Sequence, residues 1–370
     1  MKIQSGANGY YFTEDFSRRV SICKIWFTIM VLFVHSYTNT VFMKSGNIIL
    51  RVPMWLRTFK YLISEGICNC AVPGFFVISA ILLYRKEFRW WDNLKKKLRT
   101  LAIPYLVMNT FWVAFYFVCQ HIPAVSAYFS NPENVVANWD LAGWLRGYGV
   151  TQISPLMYPL WFLKYLLLMN VLSKVYLAII RRFPYLCAVA LLAAWVYFNN
   201  YSEVQALCFW GFGCFLSVKQ VDIHRLLRGK WLIAAGYVLL LAVDAATRFM
   251  IPRTLVNKVC ILWGLAFWFV CMTEFKGEKL SSILIRLSGH TFAIYLFHEM
   301  NLFILKKLLA KLLPQTPLLQ LVQYLGIPVA IFCYCLVLSV VMKRYLPGLY
   351  GLLTGKRNHR QVCVDKGPEP

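Results

Sequence analysis

The sequence predicts an all-α fold, a polytopic transmembrane helical bundle of about ten spans, and three observations carry that prediction. First, 59% of the 370 residues are hydrophobic and the mean hydropathy is +0.58, too apolar for a chain that folds in water. Second, the apolar residues gather into about ten runs separated by polar stretches. Third, the cations partition: alternate connections and both ends hold about 25 Lys and Arg, the remaining connections about 10. That bias puts both termini in the cytoplasm. A formal net charge of +24 would suit nucleic acid in a soluble domain. Here the basic residues sit between apolar runs, so membrane lipids, not nucleic acid, are the expected partners.

Residues 1–19 read as a polar cytoplasmic arm ending in Arg18 and Arg19. The first apolar run, 21–42, carries Lys24 and His35. Eleven residues at 100° each make about three turns, so a helix sets both on one face, roughly 16 Å apart, with Thr28 on the same stripe. An ionisable group inside a span costs about 3 kcal/mol unless it faces protein or a wet cavity, so the pair points to a site. The alternative is that Lys24 snorkels to the inner interface and His35 sits near the outer one. The run is too long, and lacks the small-residue motif, for a cleavable signal.

The second run, 61–84, is interrupted by Pro73-Gly74, and neighbouring helices must re-satisfy the freed carbonyl. Gly74, Ser79 and Ala80 read as small-residue packing. Arg85 to Arg99 is the most basic stretch and precedes the run 101–120. The polar section 121–155, with Trp139, Trp144 and one basic residue, Arg146, should lie outside; connections that long are usually functional or interfacial. Further runs cover 156–180, 185–198, 204–218, 231–247, 255–273, 283–305 and 318–342. Several are shorter than the roughly 20 residues of a perpendicular span, so they must be tilted, bent or sheltered. Residues 344–370 read as a disordered cytoplasmic tail. Most of the 12 cysteines lie in apolar runs, and none has zinc spacing, so no structural metal is expected.

Chemistry has few places to live. His35 is the first, because a neutral imidazole accepts a hydroxyl proton near neutral pH. Lys96 and Arg99, before Pro104-Tyr105, form a cationic inner mouth suited to phosphate groups, or simply a positive-inside loop. Lys164 lies beside Trp161, itself readable as an interfacial belt residue. His290 and His298 stand eight apart with Tyr295 a turn from His298, a spacing that also fits structural histidines. Asp244 and Arg248, four apart, fit an ion pair.

These residues resemble the membrane-bound acyltransferase-3 family, multi-spanning proteins that move acyl groups onto sugars and other acceptors outside the cytoplasm. The likeness runs from about Arg18 to Gly355 through five elements in order: Lys24-x10-His35, Val72-Pro-Gly-Phe-Phe-Val-Ile-Ser79, Lys96-Lys-Leu-Arg99 with Pro104-Tyr105, Leu160-Trp-Phe-Leu163, and Thr291 to His298. Lys96 stands where Arg is common, and Gly74 interrupts the second motif. The resemblance implies a transmembrane acyltransferase domain over 20–343, with His35 as the catalytic base and Lys24, Lys96 and Arg99 along the donor path. Trp161, Lys164, Tyr295 and His298 would shape the pocket. It further implies an O-acyltransferase of the inner cell membrane that binds no cofactor. It would use acyl-CoA, acetyl-CoA above all, to modify an envelope glycan or lipid-linked sugar, by direct transfer or through an acyl-His. A transporter passing a small or acyl-bearing solute along the same stripe is the alternative.

Overall fold

The computed structural model describes residues 13–37, 40–41, 48–49, 51–85, 87–198, 202–221, 228–248, 255–274 and 277–355. The first 12 residues of the expected arm and residues 356–370 of the expected tail lie outside the described residues. Apart from a two-stranded antiparallel pair, Thr40–Val41 with Ile48–Ile49, the regular elements are helical.

Helix α1 (Glu14–Ser36) begins inside the expected arm. The Thr13 side chain accepts the Phe16 N–H, Glu14 and Asp15 favour the positive helix start, and Asp15 pairs with Arg18 and Arg19 at 2.8 Å each. α2 (Met54–Tyr61) passes through a π turn (Leu62–Ile67) and a 3-10 turn (Cys68–Cys70) into α3 (Ala71–Tyr84). The irregular turns lie just ahead of Pro73, where its ring crowds the carbonyl four residues back and removes one donor. Gly74 is needed for contact: a Cβ there would meet the Phe27 ring of α1 at 2.3 Å.

α4 (Trp90–Lys97) continues through a π turn (Leu98–Ala102) into α5 (Ile103–His121). Then come α6 (Leu141–Gly147), the pair α7 (Trp161–Val171) and α8 (Ser173–Arg182), α9 (Pro184–Tyr197) and α10 (Ser202–Lys219). α11 (Lys230–Thr247), α12 (Leu255–Val270), α13 (Glu278–Ser288), α14 (Thr291–Leu312), α15 (Pro317–Tyr345) and α16 (Pro347–Thr354) complete the bundle. α1 is its axis, in contact with α3, α13, α14 and α15.

Each of the ten apolar runs contains helix among the described residues, with Thr40–Val41 of the first run in the strand pair, but ten spans are not confirmed. Among the described residues, five helical segments are long and apolar enough to cross a membrane: Glu14–Ser36, Met54–Tyr84, Trp90–His121, Lys230–Thr247 and Pro317–Tyr345. The count rises to seven if each of two broken pairs is one span: Tyr158–Val171 with Ser173–Arg182, bent by 60°, and Glu278–Ser288 with Thr291–Leu312, bent by 67°. α9 and α12 are shorter apolar helices. α10 is diluted by Glu203 and Gln205, and its apolar face, with Phe209 and Trp210, is fully enclosed by protein. A helix sheltered in this way has no need of lipid-facing length.

The tail also departs from expectation, because α16 folds back on α15 and α5. Gly355 ends it in the left-handed region, φ +70°, with Thr100 so near that a Cβ would meet its Cα at 2.6 Å.

The polar segment 121–155 runs along α5. Gln120 holds its start, donating to the carbonyls of Phe129 and Asn134 and accepting from Val136 N–H. Fifteen residues earlier on the same helix, Tyr105 donates to the Tyr148 carbonyl at 2.7 Å. Asn109 between them donates to Gly147 O and accepts from Met157 N–H. At 1.5 Å per residue, the connection covers about 22 Å of α5. Tyr105, read from sequence as part of the inner mouth, is therefore a strut for this segment.

Candidate active site

The stripe on α1 ends in its last turn at His35. Thr28 on that stripe turns its hydroxyl to the Lys24 carbonyl at 2.7 Å, leaving Lys24 and His35 as its ionisable members. The bend between α13 and α14 aims the start of α14 at this turn, so the rings of His35 and His298 meet at 5.1 Å between centroids, 64° apart in plane. Tyr158, from the 3-10 turn Tyr158–Leu160, lies edge-on to His35 at 6.2 Å. Three distant stretches of sequence thus converge on one imidazole.

His298 is completely buried. Its Nδ1 lies 2.7 Å from the Tyr295 carbonyl, an acceptor only, so Nδ1 carries the hydrogen and the neutral ring presents a lone pair at Nε2. That Nε2 is buried without a hydrogen-bond partner. Two neighbours share this state: Glu299 Oε2, next in sequence to His298, and Ser36 Oγ, next to His35. Buried polar atoms are normally satisfied, so the lone pair of His298 Nε2 beside the His35 ring is open to a polar partner. Sequence reasoning passed over Glu299 and Ser36; a carboxylate inside the apolar run beside His298 was the available signal.

Tyr295 braces the centre by donating to Pro159 O at 2.6 Å, which fixes the turn carrying Tyr158 against α14. Its ring touches Phe162 at 5.8 Å and His298 at 6.1 Å. Phe162 in turn meets Phe76 at 4.8 Å and Phe75 at 6.0 Å, an aromatic wall joining α7 to α3. Trp161, 8% exposed, belongs to that wall through Phe76, Phe162 and Tyr165. Its described ring contacts are with the wall and not with the histidines.

The remaining predicted residues are placed apart. Lys164 is committed to the connection 121–155, donating to the carbonyls of Gly149, Gln152 and Ile153 at 2.7, 2.8 and 3.2 Å. The pocket role expected for it thus becomes a clamp on that segment. Lys96 on α4 and Arg99 in the π turn are exposed, whereas Lys24 is half-buried. Among the described residues, no hydrogen bond or ring contact joins Lys96 or Arg99 to the histidine pair. His290 stands away from His298: its Nδ1 meets Ser339 Oγ of α15 at 2.8 Å, and Ser339 continues to Tyr350. A cavity of about 340 Å³, lined by Phe27, Gly74 and Phe209 among others, is apolar; another of about 520 Å³ separates α5 from Trp139 and Trp144. Neither is lined by His35 or His298.

Five to seven helical segments long and apolar enough to cross a membrane define the class: an integral membrane protein of the helical-bundle type. The acyltransferase-3 pattern, described as an acyltransferase domain, matches residues 18–344, and the chain belongs to that family. A succinoglycan biosynthesis protein, ExoH, of Rhizobium meliloti (strain 1021) is 26% identical over 373 residues, covering 95% of this chain and 96% of that protein. No solved structure matches the chain.

Proposed function

We propose that this acyltransferase moves an acetyl group from cytoplasmic acetyl-CoA to a hydroxyl of an envelope polysaccharide or its lipid-linked precursor, in the inner membrane with both termini cytoplasmic. The observation that carries the reading is the contact of half-buried His35 with fully buried His298 at one end of α1, with Lys24 about 16 Å back along the same face. Family membership supplies the reaction class, and the naming of the Rhizobium relative as a succinoglycan biosynthesis protein supports a polysaccharide acceptor.

In this reading Lys24, Lys96 and Arg99 attract the phosphates of the donor, whose pantetheine arm carries the thioester toward His35. His35 removes the proton as the acceptor oxygen attacks the thioester carbonyl. The new C–O bond forms, the C–S bond breaks, and the imidazolium returns its proton to the departing thiolate. His298, whose ring lies 5.1 Å from that of His35 and presents its lone pair at Nε2, is an acceptor available to that imidazolium in this reading.

The test is thiol release from acetyl-CoA by detergent-purified wild type and His35→Ala, with an envelope-glycan extract as acceptor and mass spectrometry of the product. Acceptor-dependent release by wild type alone is expected. Release in micelles also separates an enzyme from a carrier, which needs two compartments. Full transfer by a folded His35→Ala protein overturns the assignment.

A further inference from the structure

The apolar run 283–305 carries a single acidic residue, Glu299, directly after His298 in α14. An ionisable group inside such a run is kept where it faces protein or a polar cavity. Adjacent helix residues point about 100° apart, so while His298 meets His35, Glu299 turns to another side. Tyr295 fixes which side. It precedes Glu299 by one turn on the same face of α14, and its hydroxyl reaches Pro159 O at 2.6 Å. Glu299 therefore faces the turn Tyr158–Leu160, which α14 contacts, and is near enough to Tyr158, and to Tyr116 of α5, for its charge to act on both phenols.

Three groups around this turn keep hydrogen-bonding capacity that the described residues do not fill. Glu299 Oε2 is buried without a hydrogen-bond partner, and the carboxyl group makes no ion pair among the described residues. Tyr158 is 48% exposed, its ring edge-on to His35, and its hydroxyl bonds to no group among the described residues. His298 Nε2 is the third. A buried carboxyl oxygen without a donor is costly, and a ligand hydroxyl, which donates and accepts at once, suits all three groups. A metal ion would need more ligands: among the described residues no three His, Cys, Asp or Glu side chains are gathered to hold one.

We propose that Glu299 and Tyr158 form a subsite for the acceptor that recognises a vicinal diol of a sugar ring. The Glu299 carboxyl accepts a hydrogen bond from one hydroxyl, the Tyr158 phenol bonds the same edge of the sugar, and the adjacent hydroxyl is left facing His35. This rests on the acyltransferase reading and adds to it the feature of the acceptor that is read. Glu299 binds and orients; the proton of the reacting hydroxyl still goes to His35.

The experiment is equilibrium binding to the purified full chain in detergent, with size-exclusion and thermal-unfolding profiles to show that each variant is folded. The probe is a fluorescently end-labelled oligosaccharide fraction of the envelope glycan, compared with the same fraction after periodate oxidation and borohydride reduction, which cleave its vicinal diols. Wild type should prefer the intact fraction about tenfold or more. Glu299→Met keeps the length of the side chain without its oxygens, and the preference should fall to about one. Glu299→Gln keeps one accepting oxygen and should retain a reduced, severalfold preference; it decides the matter should Glu299→Met fail to fold. Equal binding of the two fractions by wild type, or no binding of either, overturns the proposal. So does a full preference in the folded variants. Binding requires no turnover. A preference that depends on Glu299 without thiol release would remove the proposed reaction and leave the subsite, whereas thiol release without such a preference would remove the subsite and leave the reaction.

Discussion

The exposed basic turn at Lys96 and Arg99 and the enclosed surroundings of His298 set ionisable side chains under opposite conditions. Lys96 and Arg99 project from α4 and its π turn into the open, where water solvates them and each contributes little by itself. His298, Lys60 and Lys306 are buried among several helices, with half-buried His35 against His298, whose Nε2 has no hydrogen-bond partner among the described residues. The difference teaches where to look for chemistry. A solvated cation is cheap and replaceable, whereas a polar group kept under protein against its desolvation cost must be compensated by structure or by substrate.

Substitutions at the two places should therefore differ by orders of magnitude. The largest effect is expected for His35→Ala, a loss of about a thousandfold or more in turnover with assembly intact, as follows from removing a general base. Comparing size-exclusion profiles alongside product mass spectra checks it. His298→Ala should cost about a hundredfold, since it removes the acceptor beside His35 and leaves His35 itself. If it instead left turnover untouched, the pair would be a packing contact and the contrast would lose its meaning.

Lys164→Met sharpens the comparison from another side. Three carbonyls of the connection lose a charged donor, so thermal unfolding in detergent should show about 1–3 kcal/mol of destabilisation. The thiol-release assay should show turnover per folded molecule within a fewfold of wild type. The smallest effect belongs to the exposed basic turn. Arg99→Ala should raise the half-saturating acetyl-CoA concentration only severalfold, and added salt should shrink the difference because exposed charges are screened. A defect matching that of His35→Ala, or one insensitive to salt, would break the division between the exposed turn and the enclosed centre.

Much of this architecture is legible in the chain. Each of the ten apolar runs contains helix among the described residues, and two residues singled out in the sequence, His35 on α1 and His298, lie ring to ring. What escaped was partnership: Asn109, Gln120, Tyr105 and Lys164 hold backbone groups of 121–155 and its neighbours, and such partners are remote in sequence. Lys60 and Lys306 likewise read as loop and helix-end cations, since burial depends on what lies across the interface.

By itself the sequence determined the helices and the residue types of the centre, because hydrophobic periodicity and the cost of a charge in an apolar run are local properties. Only the tertiary structure decided which residues meet. The bends at 172 and 289–290, the close approach at Gly74 and the brace from Tyr295 to Pro159 place Tyr158 and His298 against His35. Those contacts depend on side chains from separate helices filling one another's space, which no single stretch of chain encodes.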